Sequence, residues 1–225
     1  VSRGALALVG ALALVAALGC DAYRGGARPL DPGRLLAEPG WIVATTPALR
    51  QRRPLDCGPA ALAMVAARWR RARTVDEVTG WLPAPTADGA RLGDLRDAAR
   101  AHGLDAFAIV GDQPTLLHEL AAGRPVLVGL LLDAGPGRLA SHYEVVVAAL
   151  PAPGGAGGVG GADAAFATID PARGWRVRPW AALDAEWRAA GHPALIVLGR
   201  SGHLGEMLCQ TLPADAVAEP RLRAC

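Results

Sequence analysis

The stretch LRQRRPLDCGPAALAMVAARW, residues 49–69, sets Cys57 at the head of a nearly all-apolar run. A thiolate, not a thiol, attacks carbonyl carbon, and a free cysteine ionises only near a pKa of about 8.5–9. Two devices lower that value: the positive end of a helix dipole and a neighbouring imidazolium. Pro59 suits the first turn of a helix, where a missing N–H costs nothing, so the run reads as a helix that begins at Cys57. The first device is therefore written into the local sequence. The second needs a histidine from elsewhere in the chain.

There are 5 histidines. His102 precedes the helix-ending Gly103, His118 stands beside Glu119 on a solvated helix face, His192 precedes Pro193 in a turn, and His203 lies near the end. His142 differs, because it opens the apolar run HYEVVV, which reads as a strand, and a strand end can present a side chain to a cleft. An imidazole in that role needs an acceptor on its other nitrogen to fix its tautomer. Asp170, in TIDPARG, ends the next strand and is the candidate, although Asp before Pro is also ordinary turn chemistry. The tetrahedral oxyanion needs donors. The backbone N–H of Cys57 is one, and the amide of Gln51, in the loop before the helix, is the candidate second.

Taken together, Gln51 followed by CGPAALAMV from Cys57, then HYEVVV, then IDPARG before a tryptophan-containing helix, resembles the bacteriocin-processing (double-glycine leader) cysteine peptidase family of the papain-like superfamily. The resemblance runs from Gln51 to Leu198. It implies a papain-like fold and a polypeptide substrate. It also implies Cys57 as nucleophile, His142 as general base and acid, Asp170 as its orienter and Gln51 as oxyanion donor. One residue departs from the pattern: two after the histidine the family usually has an apolar side chain, and here stands Glu144. Strand alternation puts it on the face of His142, where an arginine such as Arg176 is its expected partner. Two other functions use related chemistry or the same fold. One is amide hydrolysis or transamidation on cell-wall or protein amides; the other is a binding module without catalysis.

The elements that must position these residues follow from the patterning. WIVATT reads as a short strand, TVDEVTGWL as a helix capped by Thr74, and RLGDLRDAARAHG as a helix ended by Gly103. LDAFAIV is a strand, QPTLLHELAAG a helix, and RPVLVGLLL a strand buried on both faces. After the loop DAGPGRLAS comes the His142 strand, then a Gly-rich connection lacking the flanking strand and helix of a phosphate-binding loop. AFATID and GWRVRPW are paired strands, AALDAEWRAAG a helix, and PALIVLG a last core strand. Helices lead and strands follow, so the expected class is α+β: an N-terminal helical part, with the Cys57 helix central, packed on an antiparallel sheet.

Of the 225 residues 52% are hydrophobic and 20% charged, enough apolar material for a packed core. A net charge of +2 argues against a nucleic-acid surface or a polybasic membrane patch. Lysine and asparagine are absent, which reads as a GC-rich genome rather than as function. One arginine, then ALALVGALALVAAL, suits a signal-peptide h-region, and ALGC at residues 17–20 resembles a lipobox. The expectation is a signal peptide over 1–19 and a lipid-anchored tether over 20–40 that starts at an acylated Cys20. A peptidase domain over 41–199 and a tail over 200–225 follow. That places the protein in the bacterial envelope, where Cys209 and Cys225 either form a disulfide or remain free thiols. No cofactor is called for. No metal is expected either, since His203 and Cys209 belong to no four-ligand set.

Overall fold

The computed structural model describes residues 26–72, 74–84, 86, 89–152 and 164–199. Cys20, Cys209, Cys225 and His203, with the signal segment and the tail, lie outside the described residues. In chain order the elements are β1 (Arg28–Pro29), α1 (Pro32–Ala37), β2 (Ile42–Val43), α2 (Cys57–Ala67), α3 (Val75–Thr79), α4 (Leu92–Ala101) and β3 (Asp105–Val110). There follow α5 (Gln113–Ala121), β4 (Val126–Asp133), β5 (Leu139–Leu150), β6 (Ala165–Asp170), β7 (Gly174–Pro179), α6 (Trp180–Ala189) and β8 (Pro193–Leu198).

The strands form one sheet in the order β1-β7-β6-β5-β4-β8-β3, with β2 also on β5, and every pairing is antiparallel. Apolar side chains project from both faces. Leu127, Val145, Ala167, Ile169, Leu195 and Val197 meet α2, α3 and α4 on one side. Val126, Val128, Leu130, Val146, Phe166 and Ala194 meet α5 and α6 on the other. Period-2 alternation makes this division. It skips once, at the bulge between Val146 and Ala148, so that Val147 and Ala148 both face the α2 side. The architecture is the expected α+β class, with a second helical layer added by α5 and α6.

Helix α2 runs through the middle of its layer: every residue from Cys57 to Ala66 is buried. Its alanines, Leu62 and Met64 are strong helix formers, and their lack of polar side chains lets the helix be enclosed on all sides. Thr74 caps α3 as expected, its hydroxyl accepting from the N–H of Glu77 at 3.2 Å. Gly103 takes the left-handed conformation (φ +81°) that stops α4.

Three expectations need correction. The fold begins before Trp41: β1 pairs with β7 at Val177 and Arg176, Asp31 caps α1, and Leu35 is 4% exposed. The Pro and Gly of RPLDPGRLL, read as tether composition, are cap and first-turn chemistry. The strand in WIVATT shrinks to Ile42–Val43, because β4 already occupies the same edge of β5 as far as Val146. Finally, β5 starts at Leu139, so His142 stands inside the strand rather than opening it. Among the described residues no helix is long and apolar enough to cross a membrane.

Candidate active site

The site forms where β6 stops short of β5. The β5–β6 register runs from Leu150↔Ala165 to Val145↔Ile169, and β6 ends at Asp170. The stretch of β5 before Val145 is paired with β4 on its other side, at Leu130↔His142 and Gly129↔Tyr143. The N-terminus of α2 docks at this open edge. Gly58 makes the approach close, since a Cβ there would stand 3.1 Å from the Cβ of Ala90 and 3.4 Å from the ring of Tyr143.

Cys57, 9% exposed, is the first residue of α2. Its sulfur takes hydrogen bonds from the side chain of His142 and from the N–H groups of Tyr143 and Gly58. Burial alone would push this thiol up. The bond to His142, the charge of its ring and the two backbone donors outweigh that, and the thiol is held below its ordinary 9.0. The helix start therefore supplies one backbone donor, the N–H of Gly58, and the strand edge adds a second, that of Tyr143.

His142 is buried, and its Nε2 lies 2.8 Å from Oδ1 of Asp170, which leaves Nδ1 to face Cys57. Burial lowers its basicity, but the carboxylate of Asp170 and the sulfur of Cys57 raise it further, to about 10. A depressed thiol beside an elevated imidazole is the signature of a thiolate–imidazolium pair.

Asp170 serves both roles considered for it. Its Oδ1 accepts from His142 and also from the backbone N–H of Ala172 at 2.7 Å and of Arg173 at 3.2 Å. The turn after β6, closed by Gly174 at φ +83°, thus holds the carboxylate that orients the imidazole. The same turn gathers the loop before α2: the N–H of Gln51 donates to the Pro171 carbonyl at 3.0 Å, and Arg50 donates to that of Ala172. Gln51 is therefore brought to the site, yet its amide nitrogen donates to the carbonyls of Arg53 (3.0 Å) and Pro54 (3.4 Å). Its Oε1 is buried without a partner.

Glu144 pairs with Arg178, not with Arg176. The β6–β7 register puts Arg178 opposite Phe166, while Arg176 lies two pairs nearer the turn, opposite Thr168. The polar atoms of His142, Glu144 and Asp170 lie within 4.8 Å of one another. In a cation site their acceptors would be open. Here the Asp170 oxygen is engaged by three donors, and Glu144 Oε2 by Thr168 and Arg178.

The sequence reading assigned no role to Tyr143. Its N–H holds the Cys57 sulfur, and its ring fits between Gly58 and Gly129, where either Cβ would crowd it. The phenol is pushed up to about 12, first by burial and then by the charges of Cys57 and Asp94. The two glycines on separate elements were the available signal. On the other flank of the helix start lies an apolar pocket of about 500 Å³, lined by Leu55, Asp56, Pro59, Leu82, Pro83 and Ala90, among others.

Residues 45–130 match the model of the Peptidase C39 family, a stretch that holds Gln51 and Cys57 and ends before His142. Solved structures extend the likeness to the rest of the fold. One is a double glycine motif protease from an AMS/PCAT transporter in complex with the leader peptide, 22% identical. It covers 69% of this chain and 92% of its own, with a TM-score of 0.50. The peptidase domain of Streptococcus ComA, a bi-functional ABC transporter of a quorum-sensing pathway, is 20% identical over 70% of this chain and 99% of its own, at 0.51. A C39-like peptidase from Bacillus anthracis is 14% identical over 72% and 98%, at 0.53. No curated protein matches the chain. At these identities the structural likeness is one of fold. Fold, site and family match together are those of a cysteine peptidase.

Proposed function

We propose that this cysteine peptidase is exported and cleaves envelope or secreted polypeptides with Cys57 as nucleophile. The observation that carries the reading is the thiol held low between His142 and two backbone N–H groups, with His142 backed by Asp170. The Cys57 sulfur attacks the scissile carbonyl carbon and the carbonyl π electrons move to oxygen. The N–H of Cys57, free of any intrahelical acceptor at a helix start, donates to that oxyanion. Gln51 takes the second donor position by giving up its bonds to the Arg53 and Pro54 carbonyls. His142 then passes its Nδ1 proton to the leaving amine, and the thioester is hydrolysed by a water that returns a proton to His142. Asp170 keeps the ring oriented throughout.

The pocket beside Asp56 and Pro59 accommodates apolar side chains near the scissile bond, and at about 500 Å³ it has room for more than one. The double glycine motif protease is described with its leader peptide. For this chain, the signal-like segment 1–19 and the lipobox-like ALGC ending in Cys20 support export and lipid anchoring, and so an envelope substrate.

The test is digestion of a diverse peptide mixture by the whole protein, read by mass spectrometry, with and without an added primary amine. The expected result is hydrolysis beside an apolar residue, lost in Cys57→Ala, with a trapped acyl-enzyme on Cys57. Cleavage that survives Cys57→Ala would refute the mechanism. Products carrying the added amine in place of water would point instead to a transamidase.

A further inference from the structure

Behind His142 lies charge that a Cys–His–Asp site does not require. Glu144 shares the His142 face of β5 and accepts from the Thr168 hydroxyl at 2.5 Å. Arg178, 1% exposed, donates through Nη2 to Glu144 and to Thr168 (3.2 Å), and through Nη1 to Glu186 of α6. Burying a carboxylate and a guanidinium is a poor way merely to brace a sheet, since well-packed apolar side chains of similar volume would be at least as stable. The location is what distinguishes this pair: the Glu144 carboxylate stands within 4.8 Å of both the His142 ring nitrogen and the Asp170 oxygen. At that separation, in a buried site, one unit of charge changes the protonation balance of an imidazole.

We propose that Glu144 is a positioning residue for the Cys57–His142 pair, a second carboxylate beside Asp170 whose strength is set by its ion pair with Arg178. The proposal rests on the peptidase reading only in taking Cys57–His142 as the pair that is served. The groups that face His142 are Cys57 from α2, Asp170 from β6 and Glu144 from its own strand. Arg178 of β7 and Glu186 of α6 stand behind Glu144. Removing the Glu144 charge leaves Arg178 offset by Glu186 alone, so the imidazolium loses an anion and faces a less balanced cation. Removing the Arg178 charge does the reverse. The two changes therefore move the thiolate in opposite directions, whereas a structural brace would weaken the site in the same direction whichever partner was lost.

The experiment is the pH dependence of Cys57 alkylation by iodoacetamide, which needs no substrate, on the wild type, Glu144→Gln and Arg178→Met, each with a thermal melt. In Glu144→Gln it is the imidazolium that loses an anion, so the thiolate–imidazolium share at neutral pH is expected to fall and alkylation there to slow by up to about tenfold. In Arg178→Met alkylation at neutral pH is expected to quicken or, where the thiolate is already fully formed, to hold. An unchanged alkylation rate in Glu144→Gln, or slowing of equal size in both variants, overturns the proposal. Should Arg178→Met fail to fold, the near-isosteric Glu144→Gln decides alone. A wild-type thiol of ordinary pKa would overturn the peptidase reading itself, an outcome the same titration separates from an unshifted variant.

Discussion

Replacing Cys57 with alanine should change how stability depends on pH, in a direction that the proton count fixes. Between pH 6.5 and 9.0, the ordinary values for His and Cys, the unfolded chain carries a neutral imidazole and a protonated thiol. Where the lowered thiol of the folded chain has ionised, that chain carries the same single proton, now on His142, so in that part of the window folding exchanges no protons with solvent and this pair adds no slope. Above 9.0 the unfolded thiol ionises while folded His142, raised to about 10, stays protonated, and stability falls as pH rises. In Cys57→Ala the thiol proton is gone from the unfolded chain, but Asp170 still holds His142 up. Folding then takes up a proton from pH 6.5 upward, and the variant loses stability where the wild type is flat. The limiting slope is about 1.4 kcal/mol per pH unit. Denaturant unfolding of both proteins at several pH values measures the difference, in which all other groups cancel. Parallel curves throughout pH 6.5 to 9 would mean a protonated thiol in the fold, and the ion-pair argument would be wrong.

Asp170→Asn keeps an oxygen for the N–H groups of Ala172 and Arg173 but removes the charge facing His142. A charge-assisted bond contributes about 1.5–3 kcal/mol, so thiolate reactivity at neutral pH should fall roughly 10- to 150-fold with little change in melting temperature. A large drop in melting temperature with unchanged reactivity would reverse that assignment. Leu82→Asp puts a charge into the apolar pocket. It should raise KM for peptides with an apolar residue near the cleaved bond and leave iodoacetamide alkylation untouched; equal loss in both assays would place the pocket outside the substrate path.

The parts of the site that were legible in the sequence are those set by local chemistry. Cys57 before Gly58-Pro59 announced a helix start, and an apolar body without charge announced a buried helix. Asp170-Pro171 announced the end of a strand and the turn that holds the carboxylate. What stayed hidden depends on register. Arg176 and Arg178 project from the same face of β7 and differ only in which residue of β6 they oppose, a fact of pairing that no local pattern carries. The Gln51 amide was expected at the oxyanion position from its residue type, its place six residues before Cys57 and the family resemblance. Its bonds to Arg53 and Pro54 follow from the tight path of the loop, which spacing does not describe. Residues 28–37 were misread because a proline-rich capped helix and a flexible linker share a composition and differ only in where Leu35 goes.

The pairing of β1 with β7 also changes what an anchor at Cys20 would do. The chain is already fastened at Gly26, whose N–H donates to Glu186 at 2.6 Å, the same glutamate that binds Arg178. Gly26 lies six residue steps from Cys20, and a fully extended chain spans at most about 3.5 Å per step, or about 20 Å. The linker expected over residues 20–40 would have let the domain roam; a leash this short would set its attitude. The β7 edge and α6 would be turned toward the bilayer, and polypeptides would have to enter the cleft from within a few nanometres of the lipid surface. Accessibility to the membrane, more than the amino acids around the scissile bond, would then select what is cut.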